Sequence, residues 1–327
     1  LLLYVSPVDK LKTYAVLMLC TSLIVRATCS WYCRRHFDET RGGLTFDGNL
    51  LKEMTGFAGW NFLGSGAYVV NTQGINLLAN SFFGVGVNAA RLVAFQVENI
   101  IKQFVTNFLT ALNPQITKSY ASGNYGYCFS LTCKGVKFSC LVMLLFLAPL
   151  LFEAPLLLEL WLDDVPPMSV TFVRLPILCL IADMTFNPLL TLIQATGRIK
   201  RYYIISSSVS ILIFVISWIA FRLGAPAYVS YIIFAVVYVA VDIIKTLTVR
   251  RQVDFPVREL LKSVILPLLA VTSVAVALAA AAWLLIPAGV WRLLAVLLAS
   301  TAGVALASWL WALTDGEKEF LKSKICR

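Results

Sequence analysis

Apolar runs about twenty residues long follow one another along most of this chain, and that succession constrains its fold more than any other feature. Crossing the hydrocarbon core of a bilayer takes about 20 mostly apolar residues in a helix. Nine stretches qualify: 11–31, 56–80, 88–113, 137–161, 169–195, 203–223, 227–248, 263–286 and 290–313. In lipid every backbone N–H and C=O needs a partner within the protein, so runs of this length are helices. The expected fold is all-α, a polytopic transmembrane helical bundle. A hydrophobic share of 59%, a charged share of 13% and a mean hydropathy of +0.82 exclude an ordinary soluble domain. The chain opens on LLLYVS, with no Met and no signal peptide, so it reads as the tail of a longer protein. Residues 1–6 read as the last turn of an earlier helix.

The connecting segments fall into two alternating sets. One holds Arg34, Arg35 and Arg41, then Lys118 and Lys134, then Arg198, Lys200 and Arg201. It continues with Arg250, Arg251, Arg258 and Lys262, and ends with Lys318, Lys322, Lys324 and Arg327. The other set, SPVDK, SFFGVG, DDVPPMS, GAPAY and IPAG, is nearly free of positive charge. Cytoplasmic loops collect Lys and Arg, so the first set and the C-terminus are expected in the cytoplasm. Lys10 and Lys12 run against the pattern, and Arg222 and Arg292 stand at helix ends where they can snorkel. Topology also accounts for the net charge of +10. No basic patch interleaved with aromatics lies on a soluble segment, so nucleic acid is not an expected partner.

Eight cysteines form no CxxC pair, and Cys20, Cys29, Cys33, Cys140 and Cys179 sit in or beside apolar runs as small hydrophobes. His36 is the one histidine, in a basic loop. No triad, zinc site or phosphate-binding loop can be assembled, so neither catalysis nor a cofactor or metal is expected.

Polar residues concentrate in a third of the spans. In Asn88–Lys118, Asn88, Arg91, Glu98 and Lys102 share one helical face, and Gln96, Asn99, Gln103 and Asn107 the adjacent one. Leu92, Val93, Val97, Ile100, Ile101, Val105 and Phe108 form the far side. Charges at membrane depth face a watery cavity or a partner, so this helix should line a polar path. Span 56–80 holds Asn61, Asn71, Gln73 and Asn76 among glycines, and span 169–195 holds Arg174, Asp183, Pro176 and Pro188. The amides suit sugar hydroxyls or, equally, hydrogen bonds between close-packed helices. Glu98 stands four residues before Lys102, so it is either its ion-pair partner or a protonatable group. Asp183 is an ion-coupling candidate, or a hydrogen-bond partner of Asn71 or Gln73. Tyr68, Phe95 and Phe104 are stacking candidates that also suit core packing, and Asp242 and Lys245 are expected near the interface.

Four stretches carry a family resemblance: NAARLVAFQVENIIKQFVTNFLTALNPQITKSYASGN, KGVKFS, LELWLDDVP and LIQATGRIKRYYI. Together they resemble the bacterial polysaccharide transporters, the Wzx-type O-antigen flippases of the multidrug/oligosaccharidyl-lipid/polysaccharide superfamily. DKLKTYA and YCRRHF resemble the flanks of the helix that closes the first lobe of such a protein. The resemblance covers essentially the whole chain and the later two-thirds of a family member. It implies two six-helix lobes around a cavity: residues 1–31 ending the first lobe, 32–55 a cytoplasmic linker and 56–248 the second lobe. Residues 249–313 would add two helices and 314–327 a cytoplasmic tail. The implied activity is flipping a polyprenyl-pyrophosphate-linked oligosaccharide across the bacterial inner membrane for lipopolysaccharide and other surface-glycan synthesis, beside other assembly proteins. Arg91, Lys102 and Arg174 would then supply cations for the pyrophosphate, with Glu98, Gln96, Asn99, Asn71 and Gln73 also lining the cavity. A cation-coupled multidrug exporter of the same superfamily is the alternative. A membrane glycosyltransferase or polymerase is a third reading, for which the longest outer loop offers only Asp163 and Asp164.

Overall fold

The computed structural model describes residues 10–38 and 47–325. Residues 1–9, Arg41 and Arg327, to which expectations were attached, lie outside the described residues. Every regular element among the described residues is a helix. In chain order these are α1, Lys10–His36; α2, Gly48–Phe83; α3, Val85–Ala121; and α4, Tyr125–Trp161. Then come α5, Ser169–Thr185; α6, Asn187–Ala195; α7, Lys200–Arg222; and α8, Val229–Val253. α9, Val257–Leu285, and α10, Val290–Ala312, each contain one π-helical turn, and a short helix α11 covers Asp315–Ile325. The chain divides into two compact units, Leu1–Thr55 and Gly56–Arg327.

Among the described residues, seven helical stretches are long and apolar enough to cross a bilayer: α1, α5 with α6, and each of α4, α7, α8, α9 and α10. The chain is a multi-pass membrane protein. Two of the nine expected spans are absent from that set, 56–80 in α2 and 88–113 in α3. Both are helical, in elements of 36 and 37 residues, but their amides and charges dilute the apolar content. At 1.5 Å per residue α3 is about 55 Å long, more than a hydrocarbon core of about 30 Å accommodates. Gly84 alone links α2 to α3, and its φ of 81° is the conformation a residue without Cβ adopts freely.

The outer surface is apolar. Phe62, Leu77, Leu223, Val236, Leu284, Leu298 and Leu310 are each more than 60% exposed, as side chains facing lipid should be. Exposed hydroxyls on these helices close back on their own helix: Ser208 donates to the Ile204 carbonyl and Ser273 to that of Leu269. Where water is absent, that bond satisfies the hydroxyl.

The core of the second unit forms where α3, α4, α5, α6 and α9 meet around Ile101, Val105, Met143, Leu189 and Val271. A second cluster joins α3, α5, α7 and α8 around Ala94, Phe172, Ile213 and Phe234. Prolines shape both. Pro188 lies in the first turn of α6, so the span 169–195 breaks at Phe186 instead of continuing as one helix. In α4 the backbone leaves helical geometry at Glu153, between Pro149 and Pro155, because Pro155 offers no N–H to the preceding turn. At the kink the fully buried Glu153 carboxylate accepts from Arg292 of α10, Nε to Oε1 at 2.6 Å and Nη2 to Oε2 at 3.2 Å. Arg292 was expected to snorkel. It is three-quarters or more buried instead, with its guanidinium over the Trp283 ring. α9 and α10 approach so closely at Gly303 that a Cβ there would stand 3.0 Å from the Ala275 Cα.

The tail helix is fastened to α4. Thr314-Asp315-Gly316-Glu317 has a capping-box sequence, and the Thr314 N–H donates to Glu317 Oε2 at 2.8 Å. The same oxygen accepts from Lys137 Nζ at 2.8 Å, and both side chains are buried. Burial pushes the Glu317 carboxyl up, but the bonds from Lys137 and Thr314 outweigh it and hold the group below its ordinary 4.5. A depressed carboxylate pKa stabilises the docked tail fully above the ordinary value and loses that contribution as pH falls below it. Glu317→Gln at neutral pH is expected to reduce hydrogen-exchange protection of α11 by about tenfold or more, from about 1.5–3 kcal/mol for a charged hydrogen bond. Unchanged protection in the variant would show that apolar packing alone holds the tail.

Candidate functional site

The Arg91 face of α3 turns into the bundle. Arg91, Phe95, Glu98 and Lys102 recur at helical spacing, and all four line one cavity with Tyr68, Thr72 and Asn76 of α2. Cys179 of α5 and Tyr231, Phe234 and Tyr238 of α8 complete the wall. Arg91 is 7% exposed. Its Nε and Nη2 donate to Asn76 Oδ1 at 3.3 and 3.2 Å, its Nη1 donates to Ser230 Oγ at 3.4 Å, and the guanidinium lies 5.1 Å from the Tyr231 ring centroid. These partners are an amide, a hydroxyl and an aromatic face. Among the described residues no carboxylate stands within 4 Å of Arg91.

Glu98 and Lys102 do not form the expected ion pair. Lys102 Nζ sits 5.7 Å from the Tyr68 ring centroid, and no contact under 4 Å joins it to Glu98. The chamber is thus lined by two cations and one carboxylate. Its volume is about 50 Å³, room for a few waters and for no sugar.

A second chamber of about 360 Å³ lies beyond Tyr68 and Tyr238, which line both. Asn61 and Asn71 of α2, Asp183 of α5, Ser206 and Ser207 of α7 and Lys245 of α8 face it. Asp183 makes no hydrogen bond under 3.5 Å to Asn71 or Gln73. Asn71, 2% exposed, leaves its Oδ1 without a partner. At the wall the Tyr203 hydroxyl donates to Asn61 Oδ1 at 2.6 Å and accepts from Gln194 Nε2 at 2.9 Å. Gly64 makes room for this tyrosine, since a Cβ there would stand 2.6 Å from the ring.

Asp242 and Lys245 form a buried ion pair. Both are 5% exposed and paired at 2.9 Å, because α8 turns this face into the bundle, where each charge neutralises the other.

Several expected lining residues stay outside both chambers. Gln96, Asn99 and Gln73 lie on exposed helix faces. Arg174 is drawn to the kink in α4, where Nη2 donates to the Phe152 carbonyl at 3.5 Å. Phe104 is exposed and tilted against Phe146. The far side of α3 divides: Ile101 and Val105 enter the core, while Leu92 and Ile100 are half exposed, as an apolar surround allows. Tyr238, Tyr203, Ser230 and Glu153 were not singled out in the sequence. Only Glu153 carried a signal, a lone carboxylate between two prolines in an otherwise apolar run.

Compared with family models, curated proteins and solved structures, the chain gave no significant match to any of them.

Proposed function

We propose that this chain is the second lobe and C-terminal helices of a transporter that flips a polyprenyl-pyrophosphate-linked oligosaccharide across the bacterial inner membrane. Its C-terminus would lie in the cytoplasm, and α2 and α3 would be its eighth and ninth bilayer-crossing elements. The observation that carries the reading is Arg91, a buried guanidinium with no carboxylate within 4 Å among the described residues, lining a chamber with Lys102. Buried charge is retained where it is paired or where it works, and a planar fork of donors suits a phosphate. The family resemblance of NPQITKSYASGN and ATGRIKRY supplies the substrate class. Because the chamber admits only water, transport requires the helices that line it to part, which fits alternating access. The chemistry is binding and release, without a bond made or broken.

A complementation assay in a strain lacking its surface-glycan flippase tests this, with variants matched for membrane abundance. Arg91→Ala and Lys102→Ala are each expected to lower surface glycan at least tenfold. Full surface glycan in both variants would remove the basic chamber from the mechanism.

One observation favours a second reading, a cation-coupled multidrug exporter. Asp183 and the unpartnered Asn71 oxygen offer oxygen ligands to a cation in the second chamber. Efflux of cationic dyes with no restored glycan would select it.

A further inference from the structure

We propose that the groove between the start of α7 and the end of α8 binds an anionic phospholipid, its phosphate on Arg198, Arg201 and Arg251 and an acyl chain along the helices below. The groove is separate from both chambers and holds about 830 Å³. Arg198, Lys200, Arg201 and Arg251 form its rim, and no carboxylate lines it. None of the four cations lies within 4 Å of a carboxylate among the described residues. Lys200 is engaged with the Trp60 ring at 5.2 Å, which leaves the three arginines to the groove. Clustered like charges repel, and Lys200 and Arg201 stand in the first turn of α7, where the helix dipole is also positive. An anion would relieve both.

The floor decides what kind of anion. Below the rim, Ile204, Ile205, Ile244 and Leu247 line the groove, and Ile204, Ile205 and Leu247 are about 40% exposed or more. A soluble phosphate would leave that surface uncovered, whereas a phospholipid covers it and meets the cations at the level of its headgroup. Basic pockets between helix ends suit such headgroups. Leu247 also borders an apolar groove of about 570 Å³. The rim is held in shape before any ligand arrives. Gln252 Nε2 donates to the Arg198 carbonyl at 2.8 Å, and Gln252 Oε1 accepts from Thr196 Oγ1 at 3.1 Å.

The test is native mass spectrometry of the purified protein in detergent with equal phosphatidylglycerol and phosphatidylcholine. The protein is expected to retain phosphatidylglycerol preferentially. Each cation removed should weaken retention about fivefold, so Arg198→Gln/Arg201→Gln/Arg251→Gln should lose about a hundredfold. The corresponding triple lysine variant should retain most of it. Leu247→Trp, which fills the floor and keeps every cation, should weaken retention about tenfold and serves if the glutamine variant does not fold. Undiminished phosphatidylglycerol on either the glutamine variant or Leu247→Trp would overturn the proposal, as would equal retention of phosphatidylcholine. Displacement of the lipid by millimolar inorganic phosphate would also overturn it, in favour of a soluble-anion site.

Discussion

Glu153→Ala is expected to destabilise the bundle by about 3–5 kcal/mol, the usual cost of leaving one member of a buried ion pair alone. Glu153 is fully buried at the α4 kink, and both its oxygens accept from Arg292 at the start of α10. Removing the carboxylate strands a guanidinium whose remaining contact is the Trp283 ring. The α4 kink and the packing of α10 are thus tied through one pair. Arg292→Ala should cost a similar amount, because it leaves a carboxylate with no other cation within 4 Å among the described residues. Glu153→Leu/Arg292→Leu should recover most of the loss, since well-packed apolar groups often replace a buried pair without penalty. Reversible unfolding in mixed detergent micelles measures all three. Single-variant losses below about 1 kcal/mol that simply add in the double variant would mean the pair is solvated and carries little.

The sequence made the helices and the polar face of α3 legible for one physical reason. Side-chain period and apolar run length are local properties, and Arg91, Glu98 and Lys102 do share the lining of one chamber as their spacing implies. Which polar residues are brought together is not local. Asn99 follows Glu98 by one residue and Gln96 precedes it by two, and both fall on an exposed face. Gln73 is two residues from Asn71, and the helical turn separates a buried amide from an exposed one. Asp242 and Lys245 stand near a helix end in the sequence, and their burial depends on which neighbour covers α8. Arg174 is a charge in a polar span, and its guanidinium donates to the Phe152 carbonyl on α4. Partner choice across helices is tertiary information, and hydropathy does not contain it.

Asp242→Ala should also cost about 3–5 kcal/mol unless Lys245 finds another carboxylate, and the structure names the one available. Lys245 Nζ lies 2.9 Å from Asp242 Oδ1, and its side chain also lines the chamber that Asp183 faces. With Asp242 gone, an ammonium that is 5% exposed has either no counter-charge or Asp183. The second outcome lowers the cost of Asp242→Ala and makes Asp183 structural in that background. A double-mutant cycle separates them. If Lys245 re-pairs, Asp183→Asn should be at least about 1 kcal/mol more destabilising in the Asp242→Ala background than alone. Strict additivity would show that Lys245 stays where it is, and Asp242→Ala should then carry the full penalty. Asp242→Ala/Lys245→Met is the control, expected to regain stability because neither charge remains. Coupling between Asp183 and Lys245 would mean that one lysine can answer to carboxylates on two helices, α8 in one arrangement and α5 in the other. Such an element has two discrete pairings, which is what a helix needs if it is to shift between states while its charge stays neutralised.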